Sequence, residues 1–502
     1  PATRSLTTIV KRPGEDRCPR FAPDGKSFYF LSERDGGSFN VYEQPVSGGE
    51  AVRITQFEKL PVRALSVANN GRLCFSYDGE IYTMMKGSSP ERLKVDVIRP
   101  DDEMEERLLT FRGGADDGTI SPNGKEVAFV VRGDVYVTFT KYNDTKRITN
   151  TPEQERSVSF SPDGRSIVYA GERNGSWNLY ISKIVHPEDK YFSFATEVEE
   201  EVLLANEHQT FQPVFSPDGK EVAFLEDRTK LKVINLATKA VREITDGSKN
   251  YSYADGDMHF EWSPDSKWFV LAYNDKHRWP NSDIGIVSAA GGAPITNLTL
   301  SGYTDTNPRF MMGGDMIIWT SDRNGLRSHA SWGAQNDIYA FFTTKEAFDK
   351  FNLTKSEYEV LKETESDAKK DDKDKKNKAK KDDKEEVKAL KIDLNRVEDR
   401  IVRLTIHSSD LSDAVVTPDG ESLYYLCRFE GRYNLWKTDL RKNETKKVLD
   451  LNSGAGSIAL DKKGENMLVV AGSKMVAIEV KGEKQTNVSF NAPFEWRQKE
   501  ER

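Results

Sequence analysis

The sequence predicts an all-β chain built from β-propeller blades, each an antiparallel sheet of four short strands. Three observations carry this. First, a strand–turn–strand unit recurs: Phe215-Ser216-Pro217-Asp218-Gly219-Lys220 followed by the alternating run Glu221-Val222-Ala223-Phe224. Proline pre-sets the second turn position, aspartate tolerates the third, and glycine takes the left-handed position that closes the hairpin. Close copies stand at Pro23-Asp24-Gly25, Pro122-Asn123-Gly124, Pro162-Asp163-Gly164, Pro264-Asp265-Ser266 and Pro418-Asp419-Gly420, with degenerate ones at Gly71, Gly314 and Gly464. Second, the spacing is mostly ~40–55 residues, the period of four-stranded blades. Third, the remainder of each unit repeats as well. A second turn (Glu172-Arg173-Asn174-Gly175) leads to a third strand (Asn178-Leu179-Tyr180), and a fourth carries Arg147-Ile148-Thr149 or Arg403-Leu404-Thr405.

Taken in order, residues 1–100 hold two units, around Gly25 and Gly71. Two blades do not close a ring, since propellers need four to eight. The acidic run Asp101–Arg107 then breaks the rhythm and reads as a solvated boundary. Seven units follow over 101–490, enough for one complete seven-bladed propeller. Between the third and fourth strands of the fifth of these lies an insertion. Phe348–Leu361 has helical spacing, and Glu363–Lys388 is almost wholly Lys, Asp and Glu. A stretch so charged buries no apolar surface and is expected to be mobile and dispensable. The tail from 491 to 502, ending Trp496-Arg497-Gln498-Lys499-Glu500-Glu501-Arg502, reads as the start of a helix leading into further chain.

Bulk properties set limits. The net charge of −8 argues against a nucleic-acid partner, which needs a basic face. No apolar run approaches the ~20 residues of a membrane span. The chain opens at Pro1, so the lack of a targeting signal is uninformative. Cys18, Cys74 and Cys427 lie far apart, with neither metal nor disulfide spacing, and read as buried apolar fillers.

The search for chemistry yields one pattern. The six histidines show no metal-ligand spacing, and there is no G-x-S-x-G elbow and no phosphate-cradling loop. No catalytic, metal or cofactor residue is therefore assigned, and no cofactor is expected. Five residues before the turn proline or its equivalent, however, the seven later units carry Asp117, Ser157, Gln212, His259, Asn307, Asp413 and Ser457, all polar. The two earlier units carry Cys18 and Ala64 there. The position opens the innermost strand of a blade, so the row is expected at one mouth of a central channel. The plainer reading is that inner-strand ends merely meet channel water. The loops Asn274–Asp283 and Arg327–Gly333, with their His, Arg and Trp residues, are candidate binding surfaces.

Several longer segments go beyond the generic blade. Phe30-Leu31-Ser32-Glu33-Arg34-Asp35-Gly36, Tyr77-Asp78-Gly79-Glu80-Ile81-Tyr82, Ser282–Val287, His329-Ala330-Ser331-Trp332-Gly333 and the Lys-rich insertion resemble, in this order, bacterial homologues of tricorn protease. The blade motif alone is also shared by periplasmic Tol-type propellers. The resemblance covers nearly the whole chain. It implies that residues 1–100 are the last two blades of a six-bladed propeller, followed by the seven-bladed ring and, beyond this chain, the core of a serine peptidase. No residue here matches that core's catalytic groups. The implied role is gating of peptide access to the core and of product exit. Implied partners are peptides or unfolded segments, the protease core and missing blades, and further copies of the chain. The alternative is a stand-alone protein-binding scaffold of the Tol type. A third reading, a propeller enzyme with its own channel metal, would need acids and histidines gathered at the pore. The expected compartment is the periplasm, with the cytoplasm as the alternative.

Overall fold

The computed structural model describes residues 8–35, 38–96, 106–252, 256–274, 281–326, 334–364 and 389–497. The chain divides into two compact units, Pro1–Glu103 and Met104–Arg502. The first contains two four-stranded sheets, one running from Asp16–Phe21 to Val52–Arg53 and the other from Arg63–Val67 to Glu91–Arg92. They pack through Tyr29, Leu31, Val41, Leu65, Leu73 and Phe75.

Among the described residues the second unit holds seven four-stranded sheets, numbered 1 to 7 below. Their first strands are Asp116–Ile120, Glu155–Phe160, Thr210–Phe215, Phe260–Trp262, Asp305–Met311, Asp410–Val416 and Gly456–Leu460. All are antiparallel with strands in sequence order, as hairpin connections dictate. Each sheet buries both faces. In Glu126–Val131 of sheet 1, Ala128 and Val130 pack on sheet 2, while Val127, Phe129 and Val131 pack on sheet 7. This explains why second strands read as continuous apolar runs rather than alternating ones. Seven apolar clusters result, one between each pair of neighbouring sheets, and the seventh joins sheet 7 to sheet 1 through Leu468, Met475, Val127 and Phe129. A fully buried Leu or Phe stabilises by roughly 1.5–3 kcal/mol, so these interfaces dominate the stability of the unit.

The repeated polar residues are internal braces. In the Ser-Pro-Asp-Gly turn, the Ser216 hydroxyl donates to Asp218 Oδ1 at 2.6 Å and accepts from the Glu221 N–H, while Gly219 sits at φ 72°. Ser266 holds the same left-handed position at φ 60°. In the outer half of the blade, the fourth-strand threonine donates to the acid or amide opening the third strand. Thr405 reaches Asp337 at 2.6 Å and Thr55 reaches Asn40 at 2.8 Å. A third brace ties an acid at the start of the first strand to an arginine at the end of the second: Asp16–Arg34, Glu155–Arg173 and Asp410–Arg428. Each of these guanidiniums also lies over a third-strand tyrosine, Tyr42, Tyr180 or Tyr433.

Three expectations need correction. Trp496 and Arg497, expected to open a helix, instead end the strand Ala492–Arg497, which pairs antiparallel with Glu106–Phe111, Leu109 opposite Phe494; residues 498–502 of the expected helix lie outside the described residues. The two ends of the unit thus form a ribbon whose Phe111 and Phe494 rings meet edge to face at 5.6 Å, with Arg147 over Phe494. Ala492 and Phe494 are buried while Pro493 is exposed, a strand alternation that the charged residues after Trp496 obscured. Second, Phe348–Leu361 is not one helix. Lys345–Phe351 ends at Asn352, and residues 355–364 form another. Thr354 and Glu357 make a reciprocal cap that starts the second: the Thr354 N–H donates to Glu357 Oε2 at 2.8 Å, and Thr354 Oγ1 accepts from the Glu357 N–H. Third, of the cysteines only Cys427 is buried, whereas Cys18 and Cys74 are half-buried. Residues 101–105 of the acidic run, and 365–388 of the charged insertion, lie outside the described residues.

Candidate functional site: the inner strands of the second unit

The seven row residues open the inner strands, and six of the nine units share one backbone feature there. Cys18, Ala64, Asp117, Ser157, Gln212 and Asn307 all sit in the left-handed region, at φ 50–59°. At each of them the pairing of the first two strands slips, for example between Asp116 and Thr119 and between Phe211 and Val214. These are β-bulges, which re-aim the strand end and leave backbone groups unpaired. Sheet 6 slips between Leu411 and Asp413 without a left-handed residue, while sheet 7 pairs regularly through Ser457.

Three of the row's side chains reach backbone groups of the next sheet, one of them at such a slip. Asp117 Oδ2 accepts from the Ser157 N–H at 3.1 Å. Gln212 Nε2 donates to the Met258 carbonyl at 3.0 Å. Asp413 Oδ2 accepts from the Ile458 N–H at 2.7 Å, and its Oδ1 from its neighbour Ala414 at 2.8 Å. The polarity of the row therefore has a structural cause, since an unpaired backbone group away from water is costly. Asp117 and Ser457 remain exposed, Ser157, Gln212, His259 and Asn307 are half-buried, and Asp413 is buried. The residues four and two before the turn proline pack between sheets as expected: Val158 and Phe160, Phe260 and Trp262, Ala414 and Val416.

One step deeper along the inner strands lie two residues that the row count passed over. Glu261 Oε2 accepts from the Phe310 N–H at 2.9 Å. Arg309 extends from sheet 5 past sheet 6 to sheet 7. Its Nη1 donates to the carbonyls of Ile458 at 2.9 Å and Ala414 at 3.3 Å, and its Nη2 lies 3.3 Å from Asp413 Oδ2. With His259 these form one electrostatic group. Enclosure by protein raises the Glu261 carboxyl to about 7, opposed by the Arg309 charge and the Phe310 N–H. Enclosure also pushes His259 below its ordinary value, against the pull of Asp413. Sequence counting missed Glu261 and Arg309 because the other inner strands carry uncharged residues at that step.

His208, Glu226 and Asp227 are close enough to share an ion. Lys232 already lies 2.6 Å from Glu226 and Lys230 3.2 Å from Asp227, so the acids are balanced by ammonium groups and the set reads as an ion-pair cluster. The candidate loops fall largely at 275–280 and 327–333, outside the described residues.

No family model matches the chain. A Tol-Pal system protein TolB from Francisella tularensis subsp. tularensis is 27% identical over 203 residues, covering 38% of this chain and 42% of that protein. A tricorn protease homolog from Saccharolobus solfataricus is 22% identical over 302 residues, covering 59% of this chain and 25% of that protein. The chain thus spans less than half the length of either relative. Both this relative and a tricorn-like relative from Sulfurisphaera tokodaii are archaeal, so the bacterial origin in the expected resemblance is not supported by them. A crystal structure of the tricorn protease superposes with a TM-score of 0.55 at 16% identity, covering 97% of this chain and 45% of that one. No helix among the described residues is long and apolar enough to cross a membrane. The chain is a β-propeller protein similar to the propeller region of tricorn proteases.

Proposed function

We propose that Met104–Arg502 is a closed seven-bladed propeller whose channel passes extended peptide to or from a proteolytic core, and that Pro1–Glu103 supplies the last two blades of a six-bladed one. The observation that carries the reading is the run of seven consecutive sheets, the last packed on the first, with a polar rank on the inner strands. A peptide in transit needs partners for its backbone donors and acceptors, and Ser157, His259, Asn307 and Ser457 would offer them along the wall, while Asp117, Gln212 and Asp413 hold neighbouring sheets together. The rank supplies no aromatic anchors, so binding would be weak and tolerant of sequence.

Ser457 is the position to perturb, because it is exposed and lies in a regularly paired strand. Ser457→Trp should weaken binding of fluorescein-labelled unfolded casein to the chain about tenfold, roughly 1.4 kcal/mol, with the melting temperature unchanged. Equal binding by both proteins would remove the channel as the route. The TolB similarity favours a second reading, a scaffold that binds folded proteins on its outer surface. In that case casein binding would be absent from the unaltered chain as well.

A further inference from the structure

Arg309 is held by partners that do not depend on it. If its guanidinium leaves, Asp413 keeps the Ile458 and Ala414 N–H groups, and the two carbonyls it releases can take channel water. A second acid lies near enough to feel the Arg309 charge. Glu261 is hydrogen-bonded to the N–H of Phe310, the residue next to Arg309, yet makes no ion pair with Arg309 in this structure. Resting on the channel reading above, we propose that Arg309 is a movable bar across the channel, seated on Asp413 and sheet 7 when closed and on Glu261 when open.

The charge on Glu261 then sets the balance between the seats. Protonated, it offers Arg309 no counter-charge and the bar stays closed. Ionised, it competes with Asp413. Its carboxyl titrates near 7, so the open seat gains as pH rises through that value. The charged groups acting on it are Arg309 and Asp413, which also act on His259 together with Asp257, and the corresponding positions of the other inner strands carry Thr119, Ser159, Val214, Val415 and Ala459, none ionisable at these pH values. Burial moves His259 downward and Glu261 upward to about 7, so Glu261 is the group placed to respond as pH rises through that value.

The test needs no peptide, so its failure is separable from failure of the channel reading. In the full chain labelled with ¹⁵N-arginine, the Nε–Hε resonance of Arg309 is assigned by its loss in Arg309→Lys. It should move with pH, with a midpoint between 6 and 8, and stand still in Glu261→Gln. A resonance that is flat in the unaltered chain, or that titrates equally in Glu261→Gln, overturns the proposal.

Discussion

Glu155 offers the sharpest test of how the blades are braced. Its side chain is fully buried, with Oε1 accepting from Thr151 at 2.8 Å and lying 3.1 Å from Arg173, and Oε2 accepting from Thr149 at 2.9 Å. Burial outweighs these partners and raises the carboxyl from 4.5 to about 7. An acid raised on folding holds a proton in the native state that the unfolded chain has released. Stability should therefore fall as pH rises from about 4.5 to about 7 and level off above. The shift corresponds to about 3 kcal/mol, an upper bound because the unfolded chain is not fully hydrated. At ~2.1 cal/mol/K per residue over a unit of about 400 residues, that is a melting-temperature change of about 3–4 °C. The assay is thermal melting of the chain and of Glu155→Gln at pH 5 and pH 8. The gap between the two proteins should change by that amount, with Gln relatively more stable at pH 8. A gap independent of pH would show that Arg173 and the threonines keep the carboxylate ionised throughout, so that the brace acts as a permanent ion pair.

Two further outcomes test the insertion. Arg400 is buried and donates to four carbonyls, those of Phe342, Thr343, Asp393 and Asn395; Arg400→Met should cost on the order of 3 kcal/mol, read by urea melting, because buried acceptors lose their donor. Replacing residues 365–388 with a Gly/Ser linker of equal length should leave the melting temperature within a few degrees. The flanks have their own anchors: Tyr358 Oη on the Asp419 carbonyl at 2.9 Å, and the Leu390 N–H on Asp265 at 2.9 Å. A large loss would mean that the charged segment packs.

The blades were legible because their signals are local. Pro-Asp-Gly turns, period-two strands and the Arg-x-Thr fourth strands each specify conformation within a few residues, and the turn glycines at 25, 124, 164, 219, 420 and 464 all adopt positive φ. The ribbon of Glu106–Phe111 with Ala492–Arg497 was not legible, because its partners lie at opposite ends of the unit and no turn joins them. The break between the two helices of the insertion could have been read, since Thr354 and Glu357 stand at capping-box spacing before an apolar position.

The inner row shows where sequence reading reaches its limit. Composition at one blade position picked out residues at or beside the start of each sheet's first strand, but polarity alone did not separate a wall that meets a ligand from one that holds neighbouring sheets together. The contacts between sheets decide much of this: Asp117, Gln212 and Asp413 are spent on backbone groups of the next sheet, the Ser157 N–H at a strand slip among them. A row residue so engaged is a poor first choice for probing a channel, since replacing it disturbs an inter-sheet contact as well as the wall. On the proposed channel reading, the sites that would report on a lumen are the exposed, regularly paired Ser457 and the pair Glu261 and Arg309. The charges of that pair sit in adjacent sheets, without an ion pair between them.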